Sequence, residues 1–316
     1  FCSVLATAQQ YHGWRYHSVR QARGRSAAWA TLSTPSHLMR RVEACNNGAE
    51  IGRLEGRPLI VAGETVGVVL PLAAEQFARF PKVFDVTSNS VTVVAGDTVE
   101  KRSDAVAEIL TQLREEGGVP MLDGWRNEAW GCQRSFDAPA ALVVERAAGP
   151  LFGITGYGCH INGLVGEEGN PTHLWVGRRS MSKQTYPGAL DHIVAGGLTY
   201  GEKPSANVLR ECAEEASIPH ELATSARPAS FVSYCQVDET GWGLKRDCLF
   251  CYDLILPSDW IPTPDDGEVE DFKLWALKDV MDSLGADDEK DARWKPNVAL
   301  VIVDMAVRWG LISPDQ

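Results

Sequence analysis

The residues best placed to do chemistry stand together between Gly196 and Ile218, in the stretch GGLTYGEKPSANVLRECAEEASI. Arg210, Glu211, Glu214 and Glu215 fall within six positions of one another. Residues three and four apart share a helix face, so Glu211, Glu214 and Glu215 form one block of carboxylates. Like charges at that spacing cost a helix a few tenths of a kcal/mol per pair unless something neutralises them. Hard divalent cations take oxygen ligands, and carboxylates facing a substrate's phosphates are a usual Mg2+ arrangement. Glu202, one loop upstream, can pair with Arg210 and hold that face in register. The bland alternative is a solvated acidic helix face.

The elements that must position these groups are readable on either side. Pro204 opens the helix and the Gly196-Gly197 pair leads into it. Before it come strand candidates at Ala141–Glu145, Gly156–Val165 and His173–Gly177, the last running into Arg178 and Arg179. Arg178, Arg179 and Lys183 form a cationic cluster that either grips a diphosphate or balances nearby acids. After it, Phe231–Gln236 and Cys248–Leu256 continue the sheet, and an acidic loop, Asp266-Gly-Glu-Val-Glu-Asp, precedes another strand. The Lys295-Pro-Asn leader opens a last helix that Gly310 stops.

Residues 39–140 read as a smaller α+β unit ahead of a 141–316 unit. Pro58–Ala62 and Val66–Leu70 make a hairpin around Gly63, and Val91–Val94 is a further strand. A helix capped by Ser103 carries Val106, Ile109, Leu110 and Leu113 on one face and ends at Gly117. Trp125, Trp130 and Phe136 follow, suited to packing or to stacking on a flat ring.

With 316 residues, 44% hydrophobic and 23% charged, the chain can bury two sizeable cores. Its net charge of -12 argues against a nucleic-acid partner. The longest apolar run, near Val298–Val307, is too short to span a bilayer. Eight cysteines are scattered through apolar segments. The lone Cys248-x-x-Cys251 lies in a strand and reads as a structural thiol pair rather than a zinc or redox site, in a reducing compartment. No Asp or Glu precedes Glu43, while Arg15, Arg20, Arg23, Arg25, Arg40 and Arg41 do. Residues 1–38 therefore have the composition of a transit peptide, for a plastid ahead of a mitochondrion. Without that role the segment is a basic extension of a cytoplasmic protein.

Gly196, Glu202 and Arg210-Glu211-Cys212-Ala213-Glu214-Glu215 together resemble the Nudix box, G-x5-E-x7-R-E-U-x-E-E-x-G-U with U aliphatic. Two positions depart: Cys212 fills an aliphatic slot, and Ser217 stands where the pattern has glycine. The segments LFGITGYGCHINGLV, LWVGRRSMSKQTYPGALDHIVAGGLTYGE, DGEVEDFKLW and KPNVALVIVDMAVRWG extend the resemblance over about residues 45–315. They are similar to a two-domain Nudix subfamily whose N-terminal domain is of uncharacterised type. Related modules occur in plant plastid Nudix hydrolases and, in some fungi, fused to thiamine pyrophosphokinase. The resemblance implies an α/β/α sandwich around a mixed sheet. It implies Mg2+, with Mn2+ as the alternative, held by Glu211, Glu214, Glu215 and the Gly196 carbonyl. Arg210 joins the catalytic set, and the base is Glu211 or a distal acid, Glu268 ahead of Glu270. The implied reaction is hydrolysis of a small-molecule diphosphate. For this subfamily the substrate expected is an oxidised (oxo- or oxy-) thiamine diphosphate, cleaved to the monophosphate. A nucleoside-diphosphate sugar or dinucleotide pyrophosphatase, and a catalytically silent binding module, are the alternatives. The intact carboxylate trio weighs against the silent module.

Overall fold

The computed structural model describes residues 35–167, 169–286 and 293–312. The expected leader over 1–38 lies almost wholly outside them. Helix α1 (Pro35–Cys45) already begins within that span, and its Leu38 is buried. Helix α2 (Gly48–Leu54) follows.

The hairpin forms as β1 (Arg57–Val61) and β2 (Glu64–Val69), with Gly63 at φ 83° in the turn. Helix α3 (Pro71–Phe77), β3 (Phe84–Val86) and β4 (Val91–Val93) complete a four-stranded sheet of order β2-β1-β4-β3, in which only β1 and β4 pair in parallel. Helix α4 (Val99–Glu116) buries Val106, Leu110 and Leu113 against it and ends at Gly117, φ 72°. Its cap is Thr98, whose hydroxyl accepts from the Lys101 amide, and not Ser103. Ser103 sits inside the first turns, donating back to Val99 O at 2.7 Å and accepting from the Val143 amide at 3.0 Å. A hydroxyl three residues before a helix's apolar stripe has two possible uses, and here a strand amide claims it. Strands β5 (Ala129–Cys132) and β6 (Leu142–Glu145) form a ribbon, followed by the short helix α5 (Gly149–Phe152). One apolar cluster joins these elements from Leu59 to Ile154, with Phe77 stacked on Phe84 at 4.5 Å and on Phe152 at 4.9 Å. Each such fully buried ring or branched side chain contributes about 1.5–3 kcal/mol.

The larger sheet is mixed and has seven strands. Its members are β7 (Thr155–Glu167), β8 (Asn170–Arg179), β9 (Leu190–Asp191), β10 (Val194–Gly197), β11 (Arg227–Val237), β12 (Leu244–Leu256) and β13 (Val269–Ala276). The main path runs β11-β12-β7-β8-β13, with β12 and β7 parallel; β10 pairs β7 and β9 pairs β8. Alternation along the strands divides the side chains between two layers. On one side, Cys159, Ile161, Tyr252 and Leu254 pack against Val208, Cys212 and Ala216 of helix α6 (Pro204–Ala216), with α7 (His220–Ala223) beside it. On the other, Leu249, Cys251 and Tyr234 pack against Leu300 and Val301 of α9 (Pro296–Arg308) and Cys45 of α1. Helix α8 (Leu277–Gly285) covers the β8–β13 end. The result is an α/β/α sandwich around a mixed sheet, with the smaller α+β elements before it.

The seven described cysteines are free. Cys248 and Cys251, three apart on β12, point to opposite faces and do not share a site as a thiol pair. No helix among the described residues is long and apolar enough to cross a membrane.

Candidate functional site

Strand β10 carries Gly196 to the edge of α6, and the missing side chain is what allows their approach. A Cβ there would lie 2.1 Å from the Glu211 carboxyl carbon. The loop back into α6 is tied by Asn207, fully buried, whose amide donates to Gly197 O and to Glu202 Oε2, both at 3.0 Å. Glu202 and Arg210 pair as expected, with Nε to Oε1 at 3.1 Å and Nη2 to Oε2 at 3.2 Å. Arg210 also reaches Glu211 at 3.0 Å and Glu214 at 2.9 Å, so one guanidinium braces three carboxylates. The helix ends at Ser217, which takes the left-handed conformation (φ 51°) that glycine usually supplies.

The three glutamates differ in environment. Glu214 keeps half its side chain in solvent, whereas Glu211 and Glu215 are 9% and 7% exposed. Glu215 Oε2 accepts the Ala195 amide at 2.8 Å. Burial pushes its carboxyl well above the usual carboxylate range, and Glu211 adds to the shift. Burial raises Glu211 too, against the pull of Arg210. Across from them, the loop before β13 brings Asp266 and Glu268 so that their oxygens and those of Glu215 lie within 4.8 Å of one another. Sequence reasoning missed Asp266, which looks like any solvated turn acid. Glu268 has Lys183 as ion-pair partner. Burial acts to raise Glu268, but that hydrogen bond and charge outweigh it and hold the carboxyl low. Glu270 does not reach the cavity. Buried like charges and hard oxygens so close together fit a divalent cation of the Mg2+ or Mn2+ kind.

These groups line one side of a cavity of about 1380 Å3. Arg179 and Lys183 line it as well; Arg178, on the alternate face of β8, does not, and its guanidinium donates to Gly188 O at 2.9 Å. Arg179 bonds Asp191 at 2.9 Å and Thr185 O at 3.0 Å, and Lys295 meets the same aspartate at 3.3 Å. Burial disfavours the Asp191 charge, but Lys295 and Arg179 overcome it and hold the carboxyl far below its usual range. The cationic cluster thus serves charge balance at Arg179 and Lys183 while still facing the cavity.

Of the remaining lining, the sequence had marked Trp130 alone, as an aromatic suited to packing or to stacking on a flat ring. Trp130, Arg126 and Arg146 come from the segment before β7, and Tyr186, Lys245 and Arg246 close another side. Tyr186 is held at φ 52°, with the Lys245 ammonium 5.5 Å and the Arg293 guanidinium 5.8 Å from its ring centre. Of the other two aromatics, Phe136 packs edge-on against Tyr157 and Phe250, and Trp125 lies under Arg114; neither lines the cavity.

Family comparisons fit this geometry. A domain of unknown function, DUF4743, matches residues 37–156, and the NUDIX domain matches residues 163–298. Nudix hydrolase 20, chloroplastic, of Arabidopsis thaliana is 40% identical over 287 residues, covering 87% of this chain and 74% of its own. Nudix hydrolase 24, chloroplastic, of the same plant is 39% identical over 283 residues, covering 88% and 74%. Among solved structures, DR0079 from Deinococcus radiodurans shares 21% identity over 47% of this chain and 82% of its own, with a TM-score of 0.36. The NUDIX domain of Shewanella oneidensis NrtR, complexed with ADP ribose, shares 15% over 48% and 86%, with a TM-score of 0.35. On the strength of the plant relatives, similar along most of both chains, this protein belongs to the Nudix hydrolase family, enzymes that act on diphosphate-linked substrates.

Proposed function

We propose that the chain is a Mg2+-dependent diphosphatase that converts the diphosphate of an oxidised thiamine, with an uncharged ring, to the monophosphate. The observation that carries the ring preference is Tyr186. Its π face is already engaged by two cations at 5.5 and 5.8 Å, and Arg246 lines the same cavity. Intact thiamine diphosphate brings a fixed positive charge on its thiazolium, which meets a ring face already taken by cations, although Glu239 bonds the Tyr186 side chain and Asp247 lines the same cavity. Oxidation removes that charge and leaves the diphosphate unchanged.

Glu211, Glu214, Glu215 and the Gly196 carbonyl would hold the metal, with Asp266 and Glu268 close enough to Glu215 to share the charge. Bound there, Mg2+ supplies neutralisation of the phosphoryl oxygens and acidifies a water. Arg210 keeps Glu211 and Glu202 fixed, and Arg179 and Lys183 face the diphosphate from the other side. The water oxygen bonds to phosphorus and the bridging P–O bond breaks, giving the monophosphate and inorganic phosphate. Glu268, paired with Lys183, suits the proton-accepting role better than Glu211, which Arg210 braces and which would hold the metal.

Competition kinetics between oxidised and intact thiamine diphosphate test the reading. A difference of about 3 kcal/mol gives roughly a hundredfold preference in kcat/KM for the oxidised form. Equal specificity constants, or a nucleotide sugar that outruns both, would defeat it. The chloroplastic relatives support a plastid address for residues 1–38, which a reporter fusion checks: a diffuse cytosolic signal counts against it.

A further inference from the structure

The segment matched by the domain of unknown function reaches into the cavity through two arginines. Glu145 arranges them: one of its carboxylate oxygens accepts the Arg126 amide at 2.9 Å and the Ala147 amide at 3.1 Å, stapling the approach to β5 to the turn after β6. Arg146 then passes over Trp130, 5.6 Å from its ring centre, pairs with Glu128 at 2.7 Å, and presses on the box strand. A Cβ on Gly197 would stand 2.7 Å from the Arg146 guanidinium carbon, so a side chain there would displace it. Gly196, the neighbour of Gly197, is the residue that meets Glu211.

The arginines facing this part of the cavity are compensated unequally. Arg179 has Asp191 and Arg146 has Glu128. The Arg126 side chain is half-buried, and among the described residues it has no ion-pair or hydrogen-bond partner. Burial and the neighbouring Arg146 push its guanidinium below the usual range, against the weaker pull of Glu128 and Glu268. A half-buried cation beside like charges is unfavourable on its own, and its planar donors match phosphate oxygens.

We propose that the N-terminal domain completes the active site, with Arg126 as the open donor of an anion subsite that takes a phosphoryl group. The proposal rests on the diphosphatase reading for the identity of the substrate, but not for the binding of phosphate. It gives the domain a function: closing one side of the cavity and charging it to hold the group that the metal site cleaves.

The test compares the full chain with Arg126→Ala and Arg126→Lys. In EDTA, inorganic phosphate should raise the wild-type Tm over chloride of matched ionic strength. Arg126→Ala should lose most of that shift and Arg126→Lys should keep part of it. Because Arg126 has no partner to leave stranded, Arg126→Ala alone should melt no lower than wild type. In turnover, Arg126→Ala should raise KM for the diphosphate, and the inhibition constant of phosphate, about tenfold, with kcat changed less. A rise in both places the substrate's own phosphoryl in the subsite; a rise in the inhibition constant alone assigns the subsite to the released phosphate. Unaltered phosphate shifts and unaltered constants in Arg126→Ala overturn the proposal. Should Arg126→Ala not fold, Arg126→Lys carries the same comparison. If wild type cleaves no diphosphate yet its phosphate shift still depends on Arg126, the diphosphatase reading falls and the subsite stands.

Discussion

The two sides of the cavity are built in opposite ways. The acidic side is mostly local: Glu202, Arg210, Glu211, Glu214 and Glu215 come from one loop and one helix, one guanidinium braces three of their carboxylates, and Asp266 and Glu268 join them from the loop before β13. The basic side is assembled at long range, from Arg126 and Arg146 before β7, Arg179 at the end of β8 and Lys245 on β12. The acidic side is strained by buried like charge, with Glu215 and Glu211 raised by burial. Among the described residues, the Arg126 guanidinium on the basic side has no hydrogen-bond or ion-pair partner. Each side lacks a counter-charge that a metal-bound diphosphate would bring. A site poised in this way spends folding stability to gain affinity, and the contiguous box leaves a sharper pattern in the sequence than groups drawn together from distant strands.

The sharpest way to break the contrast is Glu215→Gln. If the acidic side exists to hold cations, removing one buried carboxylate costs several kcal/mol of transition-state stabilisation, about a thousandfold in turnover. Without metal the same change replaces a carboxyl whose charged form burial already disfavours, so the variant in EDTA should melt no lower than wild type. Phosphate release at saturating Mg2+ decides it. More than about a tenth of wild-type turnover would mean that the crowding of these acids has another cause.

That asymmetry also explains what the sequence made legible. The strands and the last helix follow from period-two and period-3.6 patterns, and β7, β8, β12 and α9 lie where those patterns put them. The box helix follows from fixed spacing. Ser103 was expected to cap α4 because its hydroxyl precedes the apolar stripe, but Thr98 caps the helix and the Val143 amide, forty residues on, claims the serine. Arg126 and Tyr186 carry no local signal at all. An arginine before a tryptophan-rich ribbon and a tyrosine in a Pro-Gly turn are ordinary surface residues until the fold brings them to the same cavity. Asn207 lay inside the box as an unspecified position, yet it ties the loop to the helix.

A second test reaches the footing of the basic side. Behind Asp191, His160 Nδ1 and His192 Nδ1 meet at 3.0 Å in the interior, so one ring donates and the other accepts. Asp191, Lys295, Arg179 and Asp253 surround the pair. Burial holds His160 well below its ordinary value and His192 at about 4. Both folded values are depressed, so the stability they contribute is fully present above the unfolded value of about 6.5 and is lost as pH falls through the folded ones. Between pH 6.5 and 4 the unfolded chain takes up protons that the fold refuses, and stability should fall by on the order of 3 kcal/mol for His192. Urea melts at pH 7, 5.5 and 4.5 measure that slope, and His192→Gln should flatten it. An unchanged slope would move the acid sensitivity in this window to His160, whose folded value is depressed as well.

The smallest effect belongs to the one departure from the box that touches geometry. Ser217 ends α6 at φ 51°, a conformation that costs a residue with a Cβ roughly 1 kcal/mol and costs glycine nothing sterically. Glycine gives part of that back through the freedom it has when unfolded, so Ser217→Gly should stabilise by between zero and about 1 kcal/mol. Turnover should not change, because Ser217 lies past the last carboxylate and does not line the cavity. The turn is already fixed from both ends: the Ile218 amide donates to Cys212 O at 2.9 Å, and the Ile218 side chain is 2% exposed in the cluster beneath α6. With its neighbours so constrained, serine can be carried in a glycine position at little cost. If Ser217→Gly instead lowered the Tm, the hydroxyl would be making a stabilising contact of its own, and the acidic side would owe its register to more than spacing along one helix.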